Sequence, residues 1–170
     1  EAKRQLGYIP EMPAVYDLVT VEEHLEFIRR AYKVEDEAYT QQLLERLELW
    51  DKKDKLGKEL SKGMQQKLSI CCALCHKPRV AIFDEPLVGL DPHAIKELKS
   101  IFRELKQSGC SVLISTHMID SVEDYWDVAN IMIGGRFAAT RYNDGTEGQD
   151  LEELFFQITE GKAPEGGESL

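Results

Sequence analysis

The 170 residues carry a formal net charge of −10, with 42% hydrophobic and 31% charged positions, ordinary proportions for a single globular domain with a core of its own. The acidic balance leaves no basic stripe and so argues against a nucleic-acid phosphate backbone as a partner. The longest unbroken apolar run, Ile70 to Cys75, is far short of the roughly 20 residues that cross a membrane.

Leu6 to Ile9 is a short apolar run stopped by Pro10, a predicted strand that delivers Glu11 to a loop. Thr20-Val21-Glu22-Glu23 has the form of a capping box, and the helix it opens carries Val21, Leu25, Ile28 and Tyr32 at helical spacing. A second helix is expected from about Glu37 to Leu49, burying Tyr39, Leu43, Leu44 and Leu47. Trp50 to Lys55 reads as a charged connector. Ser61 then caps a third helix that reaches about His76 and is ended by Pro78. Residues 20–77 therefore form a helical subdomain, and residues 78–160 the remaining core.

Beyond Pro78 the pattern changes. Val80 to Phe83 is a predicted buried strand, and Asp91-Pro92 opens a helix to about Gln107 with a cap followed by proline at the first turn. Its inner face is Ile95, Leu98, Ile101, Phe102 and Leu105, and Gly109 is its C-terminal cap. Ser111 to Ser115 reads as the next buried strand, and Met118 to Trp126 as a short helix. Val128 to Ile133 and Arg136 to Thr140 flank Gly134-Gly135, a two-residue hairpin signal. Gln149 to Ile158 is a last helix, and residues 161–170, rich in Gly, Pro and Glu, are expected to be disordered. The strand–helix–strand alternation over residues 80–133 argues for a parallel α/β sheet.

Three of the four cysteines, Cys71, Cys72 and Cys75, crowd into one helical stretch with Cys110 apart, and no second ligand pair has metal spacing. They read as reduced core residues.

Chemistry concentrates in three runs. Val80-Ala81-Ile82-Phe83-Asp84-Glu85-Pro86 places two acids where a buried strand emerges, an arrangement that can hold a divalent metal and polarise a water for phosphoanhydride hydrolysis. Leu60-Ser61-Lys62-Gly63-Met64 puts a hydroxyl, a helix N-terminus and a glycine together, which suits an anion. His117 directly follows the strand ending in Ser115-Thr116. No Gly-x-x-x-x-Gly-Lys-Ser/Thr phosphate loop occurs, and Gly57-Lys58 and Gly161-Lys162 lack its spacing. Without an initiator Met or a signal-like start, the sequence reads as the later part of a longer nucleotide-hydrolysing chain.

The order of these motifs resembles the ATP-binding cassette (ABC) ATPase family over about residues 6–160, and Tyr8-Ile9-Pro10-Glu11 resembles its ABC-2-type exporter branch. The resemblance implies an incomplete P-loop NTPase-like parallel sheet with an inserted α-helical subdomain, ATP and Mg as cofactors, and an ATP-hydrolysing parent. It implies Glu85 as general base, His117 as the switch histidine at the γ-phosphate, and Asp84 with Glu11 at the metal. Ser61, Lys62, Gly63 and Met64 stand at the family signature, and Asp91 in the loop that crosses the dimer seam. Glu11 replaces the family's usual Gln, while Lys62 and Met64 replace the first Gly and the Gln of its commonest signature. Implied partners are a second ATPase subunit, head to tail, and transmembrane permease subunits. The implied location is the cytoplasmic face of the cell membrane. Lacking the phosphate loop, the chain alone is expected to bind ATP poorly and not to turn it over. Its uncovered edges are expected to make it non-monomeric or marginally stable. A soluble ABC-type ATPase unconnected with transport, and a non-catalytic fragment docking through residues 11–30, are the alternative readings.

Overall fold

Three parallel strands order the first of the two units into which the chain divides, residues 1–116 and 117–170. The computed structural model describes residues 2–119, 125–145 and 151–159. Strands β1 (Leu6–Ile9), β2 (Val80–Asp84) and β3 (Ser111–Ser115) lie side by side in the order β1-β2-β3. Ile9 pairs with Phe83 and Asp84 with Ser115. Helices α1 (Val21–Tyr32), α2 (Glu37–Arg46) and α3 (Lys62–Leu74) occupy the connection from β1 to β2, and α4 (Pro92–Gln107) the connection from β2 to β3. The predicted parallel α/β sheet with an inserted helical segment is the observed architecture.

Alternation along the strands gives the sheet two unlike faces. Gly7, Ile9, Ala81 and Phe83 are buried on one of them, where α3 packs on β1 and α4 on β3. A Cβ on Gly7 would stand 2.6 Å from the Ala73 carbonyl oxygen, so glycine there permits the close seating of α3. Phe83 meets Phe102 of α4 edge-on at 4.8 Å. The other face carries Leu6, Tyr8, Val80, Ile82 and Leu113, and of these Tyr8 and Leu113 are 53% and 60% exposed. The expectation of a buried β3 thus fails on one side: among the described residues, helices cover the strand over Val112 and Ile114 only. Parallel sheets ordinarily have both faces covered.

Local capping matches expectation. Thr20 accepts from the Glu23 backbone N–H while Glu23 accepts from the Thr20 N–H, a complete capping box. Asp91 caps α4 with Pro92 at its first position, and Gly109 turns the chain out at φ +82°. Helix α2 ends three residues before the expected Leu49. Leu47 and Leu49 are both fully buried, a two-residue spacing that a helix cannot point inward, and Glu48 between them takes φ +58° to accommodate it. Helix α3 stops at Leu74, and Lys77 at φ +50° leads the chain into Pro78. The connector holds a 3-10 turn over Trp50–Lys52.

Arg46, at the end of α2, sends both terminal nitrogens to Glu104 at 2.8 Å and its Nε to Glu97 at 3.1 Å, bracing the helical segment on α4. His24 is structural: its Nε2 accepts from the Tyr16 N–H at 2.9 Å and its Nδ1 lies 2.6 Å from the Thr20 carbonyl oxygen. It ties the segment after Glu11 to α1.

The second unit contains the antiparallel pair β4 (Val128–Ile133) and β5 (Arg136–Tyr142), joined at Gly134-Gly135, both at positive φ as a tight hairpin requires. Helix α5 (Leu151–Thr159) follows. The expected helix over Met118–Trp126 falls largely outside the described residues, as does the tail from Gly161.

Candidate functional site

Because all three strands run the same way, their carboxyl ends gather Pro10-Glu11, Asp84-Glu85 and Ser115-Thr116 at one edge of the sheet. Open parallel sheets place their ligands at that edge. Asp84 and Glu85 are half-buried, and Glu11 is exposed. Glu85 adopts φ +46°, the left-handed region that costs a side-chain-bearing residue about 1 kcal/mol or more. The last residue of β3 and the residue after it both bond to Glu85. The Glu85 N–H donates to the Ser115 carbonyl at 2.8 Å, and the Thr116 hydroxyl donates to Glu85 Oε2 at 3.0 Å. Pro86 and Leu87 are buried and anchor the following turn. His117, the next residue after Thr116, is exposed and begins the second unit.

The Ser61–Met64 segment is built on the N-terminus of α3. Ser61 is its cap, with the hydroxyl accepting from the Met64 N–H at 3.3 Å, and Lys62 is exposed beside it. Unpaired N–H groups, a hydroxyl and a cation at one helix end favour an anion. Met64 packs against the core. Gly63 has a role that sequence reasoning missed. A Cβ there would lie 2.6 Å from the Gly89 carbonyl oxygen, so α3 and the loop before α4 meet backbone to backbone. Four residues on, Lys67, its side chain only 7% exposed, pairs with Asp91 at 2.8 Å and Glu48 at 3.4 Å. Asp91 also accepts from the Ala94 N–H at 3.0 Å. The ammonium of Lys67 and this cap bond hold the Asp91 carboxyl down at about 2. Buried Gln66, next to Lys67, reaches the Pro10 carbonyl at 3.4 Å. Consecutive residues of α3 thus touch the loop that carries Glu11 and the loop that carries Asp91.

The donor set is one of hard oxygens. Among the described residues no three His, Cys, Asp or Glu side chains converge as a metal cage. Asp84 and the exposed Glu11 nevertheless suit Mg²⁺, which binds through one or two carboxylates and completes its shell with water and phosphate. The cysteines are free and lie within the core or against it. Burial pushes the Cys75 thiol up to about 12 and raises Cys71, Cys72 and Cys110 as well, which keeps them protonated and poor ligands.

Parallel strands, an inserted helical segment and paired acids at the carboxyl edge define an α/β fold of the ATPase type. Comparison with known proteins narrows it. The family model described as ABC transporter matches residues 1–88. The chain is 36% identical over 166 residues to the ABC-type transporter ATP-binding protein EcsA of Bacillus subtilis, covering 92% of this chain and 67% of that protein. It is 32% identical over 152 residues to the lantibiotic transport ATP-binding protein SrtF of Streptococcus pyogenes, covering 89% of this chain and 65% of that one. A solved structure of an ATP binding subunit of an ABC transporter superposes with a TM-score of 0.83 at 37% identity, over 92% of this chain and 69% of that one. The chain belongs to the ABC transporter family, among its ATP-binding subunits, and spans about two thirds of the length of these relatives. No helix among the described residues is long and apolar enough to cross a membrane.

Proposed function

We propose that this chain forms the acidic, water-activating wall of an ATP-hydrolysing site in an ABC exporter. Glu85 takes the proton of the attacking water, from a carboxylate aimed by its strained backbone and by β3. Asp84, with Glu11, would hold Mg²⁺, which when bound offsets charge on the phosphate oxygens. His117 contacts the γ-phosphate. Ser61, Lys62, Gly63 and Met64 present a helix N-terminus to the γ-phosphate bound by a second, head-to-tail subunit, and Asp91 lies in the loop at that seam. The permease meets residues 11–30, where Met12, Tyr16, Leu18 and Phe27 are exposed. The subunit then works on the cytoplasmic face of the membrane, and the lantibiotic-transporting relative supports the exporter assignment.

The observation that carries this reading is Glu85 itself. A glutamate kept at φ +46° at the carboxyl edge of a parallel sheet, beside a second acid, is strain retained where chemistry needs it. In the complete transporter carrying this sequence, Glu85→Gln is expected to abolish phosphate release while MgATP is still captured. Unchanged release would overturn the assignment. The 170 residues alone, without the N–H cradle and lysine of a phosphate loop, are expected to bind MgATP weakly in a calorimetric titration, and micromolar affinity would refute that.

A further inference from the structure

We propose that Thr116 is a positioning residue for hydrolysis: its hydroxyl, donated to Glu85 Oε2 at 3.0 Å, fixes the direction in which the glutamate acts. This rests on the reading of Glu85 as the base. The β2–β3 register places Asp84 opposite Ser115, so the next residue of each strand, Glu85 and Thr116, emerge together at the carboxyl edge. Glu85 is an unbranched side chain with three rotatable bonds, and at φ +46° its Cα–Cβ vector differs from that of a residue continuing the strand. Left to itself such a side chain samples several rotamers, and a general base must lie within hydrogen-bond reach of its proton in one of them.

The backbone bond from the Glu85 N–H to the Ser115 carbonyl fixes the root of the side chain, and the Thr116 hydroxyl fixes its tip. Threonine suits the task. Its branched Cβ limits χ1 in a half-buried setting, so the donor is itself held. Thr116 need not touch substrate; it acts through Glu85.

Steady-state ATP hydrolysis by the complete transporter carrying Thr116→Val, Thr116→Ser or Glu85→Gln, alone and combined, tests this. Thr116→Val keeps the shape and removes the donor. It is expected to lower kcat about tenfold with the KM for MgATP unchanged, the effect of one hydrogen bond used to orient. Thr116→Ser is expected to retain most of kcat. In the Glu85→Gln background, Thr116→Val is expected to lower the residual rate no further, because nothing is left to aim. Full kcat in Thr116→Val overturns the proposal. So does an equal loss in Thr116→Ser, which would mean that the methyl, and hence packing, matters. An additive loss when Thr116→Val is combined with Glu85→Gln overturns it too. If instead Glu85→Gln hydrolyses normally, the base assignment fails first, a result that the single threonine variants cannot mimic. Should Thr116→Val not assemble, Thr116→Cys, a weak donor of similar size, is expected to show the same split between kcat and KM, and parental kcat in it overturns the proposal.

Discussion

Removing either partner of the Lys67–Asp91 pair should have unequal effects, because the two ends sit in different surroundings. The Lys67 side chain is 7% exposed and the Asp91 side chain 47%. Lowering the Asp91 carboxyl from 3.8 to about 2 corresponds to roughly 2 kcal/mol at 1.36 kcal/mol per unit, and solvent at the half-exposed carboxylate reduces that to about 1 kcal/mol. Lys67→Met keeps the buried stem and leaves Asp91 capping α4 in water, so its cost is about 1 kcal/mol. Asp91→Ala loses the cap, about 1 kcal/mol, and strands a buried ammonium with Glu48 alone at 3.4 Å, about 2 kcal/mol more. The double variant should be more stable than Asp91→Ala, since the stranded charge has gone. Urea unfolding followed by circular dichroism measures all three. Additive costs, or a larger loss for Lys67→Met, would refute the reasoning. The pH dependence follows the same pair. Asp91 has a folded pKa below its unfolded one, so between about 2 and 3.8 the unfolded chain binds more protons. Its stabilisation is complete above that window and disappears as pH falls through it. Lys67→Met should flatten this part of the acid limb.

Gly63→Ala should destabilise by about 1–3 kcal/mol in thermal or urea unfolding, because its methyl would lie 2.6 Å from a backbone oxygen that cannot swing aside. Arg46→Ala should cost about 2 kcal/mol by losing a forked contact to Glu104 together with Glu97, and Arg46→Lys should recover less than half of it, since an ammonium cannot fork. The thiols should resist Ellman's reagent at pH 8 in the folded chain and all react in denaturant; rapid native labelling of Cys71 or Cys75 would contradict their burial.

Local chemistry was legible in the sequence. The Thr20–Glu23 capping box, the Asp91-Pro92 helix start and the Gly134-Gly135 turn each depend on residues a few positions apart, and the structure forms all three. The strand that delivers Asp84 and Glu85 was legible as well, from four apolar residues ending in acids. What sequence could not supply were the contacts that cross the fold. Thr116 reaches Glu85 only because β2 and β3 lie in parallel register. Nothing in the sequence around Lys67 marks its pairing with Asp91, which forms only because α3 and the cap of α4 lie side by side. The end of α2 was misjudged because Leu47 and Leu49 both turn inward, a demand of the core that overrides helical period. The exposed side of β3 was missed because an apolar run does not reveal how many of its faces are covered.

The backbone contact between Gly63 and Gly89 changes what damage at Gly63 would mean. A bulkier residue there would press on the polypeptide's own approach to α4, displacing the acid that caps that helix, before any neighbour or nucleotide was involved. Lost function in such a variant would be a folding lesion first, and only a stability measurement beside the functional one would reveal any other part Gly63 plays.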